Sequence, residues 1–224
     1  MDDRIVDLYL STKLMDDPDG AKEKKTRLRQ FVHHDKEIRS AKRISENGEQ
    51  GVVFRVKIEG REYCLKVFKQ WKFLSLLKIR ERTQMLHSPF AYECRAFARL
   101  IDVGQNGTWA VKCHGWMRLS EDQFDALKPV VTRQQIATCD RWAIVKDYIH
   151  NPFHVDDIPE ICKKLPIPKY ALIAPMDFHP HNFRESFFVD LGSTRTYPCP
   201  PLWGDFFFRK FYETAEEGIK EWEA

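Results

Sequence analysis

Two short runs of alternating apolar and charged residues, separated by a turn, constrain the fold of this chain most strongly. Residues 52–58 alternate in this way, Glu59-Gly60-Arg61 is a turn signal, and residues 63–68 resume the strand pattern. Because successive side chains of a strand point to opposite faces, this pattern predicts an antiparallel hairpin. The loop before it contains Gly48 and Gly51. The chain is therefore expected to contain an antiparallel sheet.

The composition is that of an ordinary globular protein. Hydrophobic residues make up 43 % of the 224 residues and charged residues 31 %, with 10 glycines and 12 prolines. These values exclude a disordered, collagen-like or low-complexity chain, and the length suits one large domain or two small lobes. The formal net charge is only +3, so the overall charge does not favour a nucleic-acid partner.

No segment of the sequence indicates a membrane partner or export. Uninterrupted apolar runs such as 187–189 are far too short to span a bilayer. The N-terminus is acidic and has neither the basic region nor the long apolar stretch of a secretory signal. The six cysteines are irregularly spaced without a Cys-x-x-Cys pair, which favours free, mostly buried thiols over a zinc site. We therefore expect an intracellular protein, cytoplasmic or nuclear.

The order of predicted elements indicates an α+β protein with two lobes. Residues 1–43 are expected to form a helical, basic extension, with nine lysines and arginines between residues 22 and 43. Residues 69–100 are expected to be helical and basic at first, with a second helix that starts at Ser88-Pro89. The remaining expected elements are strands at 108–117 and 142–149, a polar helical segment at 119–139, and helices at 157–174 and 204–222.

Two segments are candidates for contacts with a partner protein. The basic segment 22–43 is either a solvated helical face or a docking surface for an acidic partner. The aromatic residues of 203–212 are expected to pack in the core, and any exposed part would serve as a partner surface. Nucleic-acid binding through the basic stretches 22–43 and 69–82 is the least favoured interpretation.

Residues 176–193 carry the strongest chemical signal. Asp177 is followed five positions later by Asn182, then by an apolar strand and by Asp190-Leu191-Gly192. Phosphoryl transfer from a nucleotide needs one carboxylate to orient or deprotonate the attacking hydroxyl, and an amide and a second carboxylate to hold Mg²⁺. Asp177 would be the first carboxylate, and Asn182 and Asp190 the metal ligands. The alternative is that Asp177 and Asn182 cap a loop and Asp190 lies in a turn.

In this order the motifs resemble those of the protein-kinase-like superfamily. Gly48 and Gly51 resemble glycines of the loop that covers the phosphates, and Lys66 resembles the lysine that neutralises them. Glu93 resembles the helix partner of that lysine, with Glu81 on the same predicted helical region as the alternative partner. Residues 143–149, with Asp147, resemble the strand that leads into the hinge between the lobes. The nucleotide-binding residues that the resemblance implies are Gly48, Gly51, Lys66, Glu93, Asp147 and Asp190, and the catalytic residues are Lys66, Asp177 and Asn182.

The resemblance implies a bilobal fold that binds ATP and Mg²⁺. Residues 44–149 would form a β-rich N-lobe with a basic helical insertion, and residues 150–224 a truncated helical C-lobe that carries the catalytic and magnesium loops. The segment 31–69 and residues 189–194 further resemble fungal kinase-like proteins grouped with a kinetochore subunit of the Sim-four complex.

Several residues depart from the kinase pattern. Glu46 stands where the first glycine of the phosphate loop is expected, and Pro175-Met176 replace the usual pair before Asp177. Only about 30 residues follow Gly192, which leaves little chain for a lobe that grips peptide substrates. Two hypotheses follow: a small kinase that transfers phosphate from Mg-ATP to a hydroxyl acceptor, or a kinase-like scaffold, a pseudokinase, that binds proteins in a chromosome-associated assembly.

Overall fold

A large, mostly antiparallel sheet organises the fold. The computed structural model describes residues 3–20, 25–45, 48–71, 85–197 and 205–223. The sheet strands in these ranges are β1 Leu10–Leu14, β2 Leu28–Gln30, β3 Ser40–Arg43, β4 Gly51–Ile58, β5 Arg61–Lys69, β6 Cys113–Arg118 and β7 Cys139–Lys146. Their order across the sheet is β1-β2-β6-β7-β5-β4-β3, with parallel pairing only of β2 with β1 and with β6.

The predicted hairpin is confirmed. β4 and β5 pair in antiparallel register from Gly51 opposite Phe68 to Ile58 opposite Arg61, and Glu59 and Gly60 form the turn with positive φ angles. Side chains alternate along the strands, so that Leu65 and Lys66 face opposite sides of the sheet. This alternation places Lys66 on the face that carries the candidate site.

Hydrophobic clusters cover both faces of the sheet. One cluster joins residues of β4, β5 and β7, such as Phe54 and Val145, to Phe31 and Leu127. The other lies under α1, Pro89–Asp102, whose Phe97 packs with residues such as Trp142 of β7. The sequence correctly predicted the start of this helix, where the Ser88 hydroxyl accepts a hydrogen bond from the Ala91 amide.

Short elements complete the structure and position the loops of the candidate site. The further helices are α2 Glu121–Asp125, α3 Arg133–Ala137, α4 Ile158–Lys164, α5 Pro166–Tyr170 and α6 Asp205–Lys220. Two antiparallel strand pairs follow α5: β8 Ile173–Pro175 with β11 Thr194–Thr196, and β9 Phe183–Arg184 with β10 Phe187–Phe188. The segments between these strands carry the aspartates and the asparagine that the sequence singled out.

The expectation of a helical N-terminal extension is wrong. Residues 10–14, 28–30 and 40–43 are strands of the large sheet, and β2 lies between β1 and β6. Leu10 and Leu28 are fully buried there, so pairing and burial in the sheet decide the conformation rather than local helix propensity. Two expected strands also shift, since β6 starts at Cys113 and β7 ends at Lys146.

Some sequence predictions fall on residues that the structure does not describe. The middle of the predicted basic helical insertion, residues 72–84, lies outside the described residues. So do Glu46, residues 22–24 of the basic segment, and residues 203–204 before the aromatic helix.

The five cysteines that the structure describes are free thiols, and Cys94, Cys113 and Cys139 are buried. This agrees with the prediction from their irregular spacing. None of the helices in the described ranges is long and apolar enough to cross a membrane.

Gly115 of β6 lies in close contact with the backbone of β2. Its φ is +114°, and a Cβ atom there would lie 2.6 Å from the Arg29 carbonyl oxygen and 2.8 Å from the Phe31 nitrogen. We expect Gly115→Ala to lower the free energy of unfolding by more than the roughly 1–3 kcal/mol that a strained backbone conformation costs, because the clash with β2 adds to it. Urea unfolding measures the difference.

Gly104→Ala is the matched control for this prediction. Gly104 has a φ of +70°, but no atom lies within 4 Å of its added Cβ. The Gly104→Ala variant therefore measures only the cost of placing an alanine at a positive φ angle. An equal loss of stability in the two variants would contradict the close approach of β2 and β6.

Candidate functional site

A buried carboxylate from α1 binds two lysines of the sheet. Glu93 is fully buried, and its Oε2 and Oε1 accept hydrogen bonds from Lys66 Nζ at 2.8 Å and Lys146 Nζ at 2.7 Å. Lys66 lies on β5 opposite Ile144 of β7, two residues before Lys146. Both lysines therefore point to the face of the sheet that α1 covers.

Lys66 also binds Asp190, which lies between β10 and β11. The distance from Lys66 Nζ to Asp190 Oδ1 is 2.7 Å, and the Gly192 amide donates to the same oxygen at 2.8 Å. Burial alone would raise the pKa of Asp190, but the positive charges of Lys66 and Lys146 outweigh it and lower the pKa to about 2. Asp190 is therefore a carboxylate at neutral pH.

Lys146 has a second partner besides Glu93. Its Nζ donates to the Val189 carbonyl oxygen at 2.8 Å, next to Asp190 in the chain. Burial lowers the pKa of Lys146, but the negative charge of Glu93 outweighs it, so that the pKa lies above its usual value. Burial also lowers the pKa of Lys66. The negative charges of Asp190 and Glu93 together have the larger, opposite effect, so the pKa of Lys66 lies above its usual value. Both lysines therefore stay charged inside the protein.

Asp177 and Asn182 lie together on the segment between β8 and β9. Asn182 Nδ2 donates at 2.9 Å both to the Asp177 carbonyl oxygen and to Asp177 Oδ2. The Val189 amide donates to the Asn182 carbonyl oxygen at 2.8 Å, which joins this segment to the one that carries Asp190. Asn182 is buried, whereas the Asp177 side chain is 45 % exposed. The structure therefore places Asp177 where a molecule from solvent can reach it.

Aromatic side chains hold this segment in place. The Phe178 ring centroid lies 5.4 Å from that of Phe183, 5.6 Å from that of Phe211 and 5.3 Å from that of Trp222. Phe211 belongs to α6 and Trp222 follows it. Part of the aromatic C-terminal segment thus packs inward as predicted, while Phe206 is 69 % exposed.

The glycine loop brings a glutamine side chain into the site. Gln50 lies between Gly48 and Gly51, and its Nε2 donates to Ser193 Oγ at 2.9 Å. Lys66 Nζ lies 3.4 Å from Gln50 Oε1. A Cβ atom at Gly192 would clash with this oxygen, so a side chain at that position would require Gln50 to move.

A cleft of about 330 Å³ opens beside these groups. Its lining includes Lys66, Lys146, Asp147, Asn182 and Asp190. The Asp147 Oδ1 accepts hydrogen bonds from His114 Nε2 at 2.7 Å and from Arg61 at 2.9 Å. The hydrogen bond from His114 lowers the pKa of Asp147, although burial opposes this. The Asp147 carboxylate is thus held at the edge of the cleft.

Of the eight candidate residues that the sequence identified, four line this cleft: Lys66, Asp147, Asn182 and Asp190. Glu93 is buried behind Lys66, and the lining does not include Gly48, Gly51 or Asp177. Lys66, Glu93 and Asp190 form one ion-pair network, and Asn182 and Asp177 form a hydrogen-bonded pair next to it. Sequence reasoning missed the roles of Lys146 and Gln50. A signal for Lys146 exists, because it ends the apolar run of residues 142–145 in the same way that Lys66 interrupts its own strand.

The oxygen atoms in the cleft suit a hard cation whose other ligands are oxygens of phosphate groups or water. Asn182 uses its amide nitrogen to bind Asp177, which leaves its amide oxygen, together with Asp190, as donors of the kind that Mg²⁺ prefers. Among the described residues, no group of three or more His, Cys, Asp or Glu is placed to hold a metal ion. Two protein donors fit Mg²⁺ that is bound mainly by phosphate oxygens and water.

A comparison with curated proteins gives no match, whereas a comparison with protein families does. Residues 14–195 match the family described as Kinetochore Sim4 complex subunit FTA2. The matched segment runs from the end of β1 to β11 and contains the whole ion-pair network around Glu93. Because the match covers well over half of the 224 residues, this chain belongs to the FTA2 family.

Proposed function

We propose that this protein is a protein-binding subunit of a kinetochore assembly and acts in the nucleus. The observation that carries the proposal is the match of residues 14–195 to a family named for a kinetochore complex subunit. Such a subunit works by binding other proteins of its complex. This corresponds to the scaffold hypothesis drawn from the sequence.

One edge of the large sheet is a suitable binding surface. β3 is the last strand of the sheet, and among the described residues it pairs with β4 alone. An edge strand with unpaired backbone groups can accept an added strand from another chain. Lys42 of β3 and Lys57 of β4 are both exposed beside this edge.

The charge of this edge favours an acidic partner. Lys42 lies opposite Arg55 and Lys57 lies opposite Ser40, so the two lysines are on one face of the sheet. Arg55 is on the same face but is already paired with Glu62, so the two lysines supply the charge for a partner. Backbone hydrogen bonds would supply affinity, and the lysines would select acidic side chains on the added strand. We therefore propose that the acidic partner expected for the basic segment 22–43 binds at β3.

The first test is the location of the protein in dividing cells. We expect a fluorescently tagged copy, expressed from its own locus, to form nuclear foci that coincide with centromeres. The double variant Lys42→Glu/Lys57→Glu should weaken these foci by at least about tenfold, because like charges placed together at an interface cost several kcal/mol. Quantitative fluorescence of the foci measures both effects.

The control for this experiment is Lys163→Glu on α4, whose side chain is 78 % exposed but lies on a helix outside the sheet. It changes surface charge without touching β3 and should leave the foci intact. Diffuse fluorescence of the wild-type protein would overturn the kinetochore proposal. Normal foci in the double variant would overturn only the proposed surface.

We also propose a second function, the binding of Mg-ATP in the cleft of a kinase-like bilobal fold. One observation favours it: the Lys66 ammonium lies between Glu93 and Asp190, next to the pair of Asn182 and Asp177. In this proposal, residues 44–149 form the N-lobe and residues 150–224 the C-lobe.

Different residues of the cleft would bind different parts of the nucleotide complex. Lys66 and the backbone amides around Gly48 and Gly51 would bind the phosphates, and Asp190 and Asn182 would supply oxygen ligands to Mg²⁺. Bound Mg²⁺ neutralises charge that develops on a transferred phosphoryl group. Asp177 would orient an acceptor hydroxyl, and Asp147, which lines the cleft, would belong to the hinge segment.

The nucleotide proposal is tested by thermal unfolding with ATP, in Mg²⁺ and in EDTA. At one hundred times its dissociation constant, a ligand stabilises the folded state by about 2.7 kcal/mol. We expect this stabilisation for wild-type protein in Mg²⁺ and a smaller one in EDTA. Asp190→Asn should abolish the difference between the two conditions, because it removes the charged metal ligand.

Asp125→Asn provides the matched control, since Asp125 pairs with Lys128 on the surface and lies outside the cleft. It should respond to Mg²⁺ as the wild type does. Absence of any shift with millimolar Mg-ATP in folded wild-type protein would remove the nucleotide proposal and leave the scaffold function alone.

A further inference from the structure

Lys146 gives the cleft a second buried ammonium group that the kinase-like motifs do not assign. Its side chain is 3 % exposed, the same as that of Lys66, and both lysines bind one carboxylate, that of Glu93. Since each oxygen of Glu93 serves a different lysine, the two ammonium groups lie close to each other. Together they surround one side of the cleft beside Asp190.

The charges of this network balance only when Asp190 is included. Lys66 and Lys146 contribute two positive charges, and Glu93 and Asp190 contribute two negative charges. Without Asp190 the three remaining groups, which are almost completely buried, would carry a net charge of one positive unit. A buried charge without a partner is strongly unfavourable, so an anion at the position of the Asp190 carboxylate stabilises the network with both lysines charged.

Asp190 is the member of the network that can be replaced. Its side chain is 35 % exposed, whereas Glu93 is fully buried in the first half of α1. Asp190 also lies on the irregular segment between β10 and β11, and its side chain lines the cleft of about 330 Å³. An anion from solvent can therefore approach the two lysines from the side on which Asp190 now lies.

We propose that Lys66 and Lys146 together form an oxyanion site, that Asp190 is its internal occupant, and that a carboxylate or phosphate group from solvent can take the place of Asp190. Lys146 supplies the positive charge that makes the site attract an anion. With Lys66 and Glu93 alone, removal of Asp190 would leave a neutral pair without need of an anion. The proposal rests on the charges and distances of the network and holds whether or not the cleft binds a nucleotide.

The test is whether added anions restore the stability of Asp190→Ala. Thermal unfolding is measured at constant ionic strength, with sodium chloride exchanged for sodium formate or sodium phosphate. We expect Asp190→Ala to unfold at a lower temperature than the wild type in chloride. Formate or phosphate should raise its unfolding temperature in a saturable way, by about 5–10 °C at one hundred times the dissociation constant. Formate probes the vacated carboxylate position, and phosphate probes whether the cleft admits a larger oxyanion.

The decisive comparison is the double variant Asp190→Ala/Lys146→Met. It removes one positive charge while it keeps an extended side chain on β7, so the network of Lys66 and Glu93 is neutral. We expect this variant to be more stable in chloride than Asp190→Ala and to lose the response to formate and phosphate. A merely structural role of Lys146 predicts the opposite, namely a further loss of stability with the response retained.

Two further variants complete the test. Asp125→Ala removes a surface carboxylate that contacts neither lysine and should show the wild-type response to the anions. Asp190→Asn keeps the shape of the side chain, and it should also gain the anion response if Asp190→Ala does not fold in chloride. The proposal is overturned if both Asp190 variants respond to formate and phosphate no more than the wild type does, or if neither folds in either anion.

Discussion

The cleft depends on one buried carboxylate that binds lysines from two strands. Glu93 links α1 to β5 through Lys66 and to β7 through Lys146, at distances of 2.8 and 2.7 Å. Breaking a buried ion pair by removing one partner typically costs about 3–5 kcal/mol, because the remaining charge stays buried. The position of α1 on the sheet and the arrangement of charges in the cleft are therefore coupled, and one cannot change without the other.

Hydrophobic clusters cover much of both faces of the large sheet, which limits where another protein can bind to it. On the face opposite α1, Gln123 is buried, and its Nε2 donates to the carbonyl oxygens of His34 at 3.0 Å and Lys36 at 2.6 Å. These bonds fix α2 and the segment before β3 over the second hydrophobic cluster. Partner proteins are therefore expected to bind at the edges of the sheet, and the edge strand β3 carries the exposed Lys42.

Features determined by neighbouring residues could be predicted from the sequence, and those determined by distant pairing could not. The hairpin of β4 and β5 and the capped start of α1 follow from local alternation and from Ser88-Pro89. β2 was missed because it is a strand through parallel pairing with β1 and with β6, and β6 lies far along the chain. The order of motifs identified Lys66, Glu93 and Asp190 as neighbours, whereas the contribution of Lys146 depends on the register of β5 with β7. The chemical roles of Asp177, Asn182 and Asp190 stay predictions.

The fit of Gln50 over Gly192 ties the glycine loop to the segment that carries Asp190. The Gln50 Nε2 donates to Ser193 Oγ at 2.9 Å, and Gln50 Oε1 lies 3.4 Å from the Lys66 ammonium. One side chain thus joins the loop, the lysine and the segment that ends at Ser193. A displacement of the loop would break both contacts, so the loop and this segment should move together rather than separately.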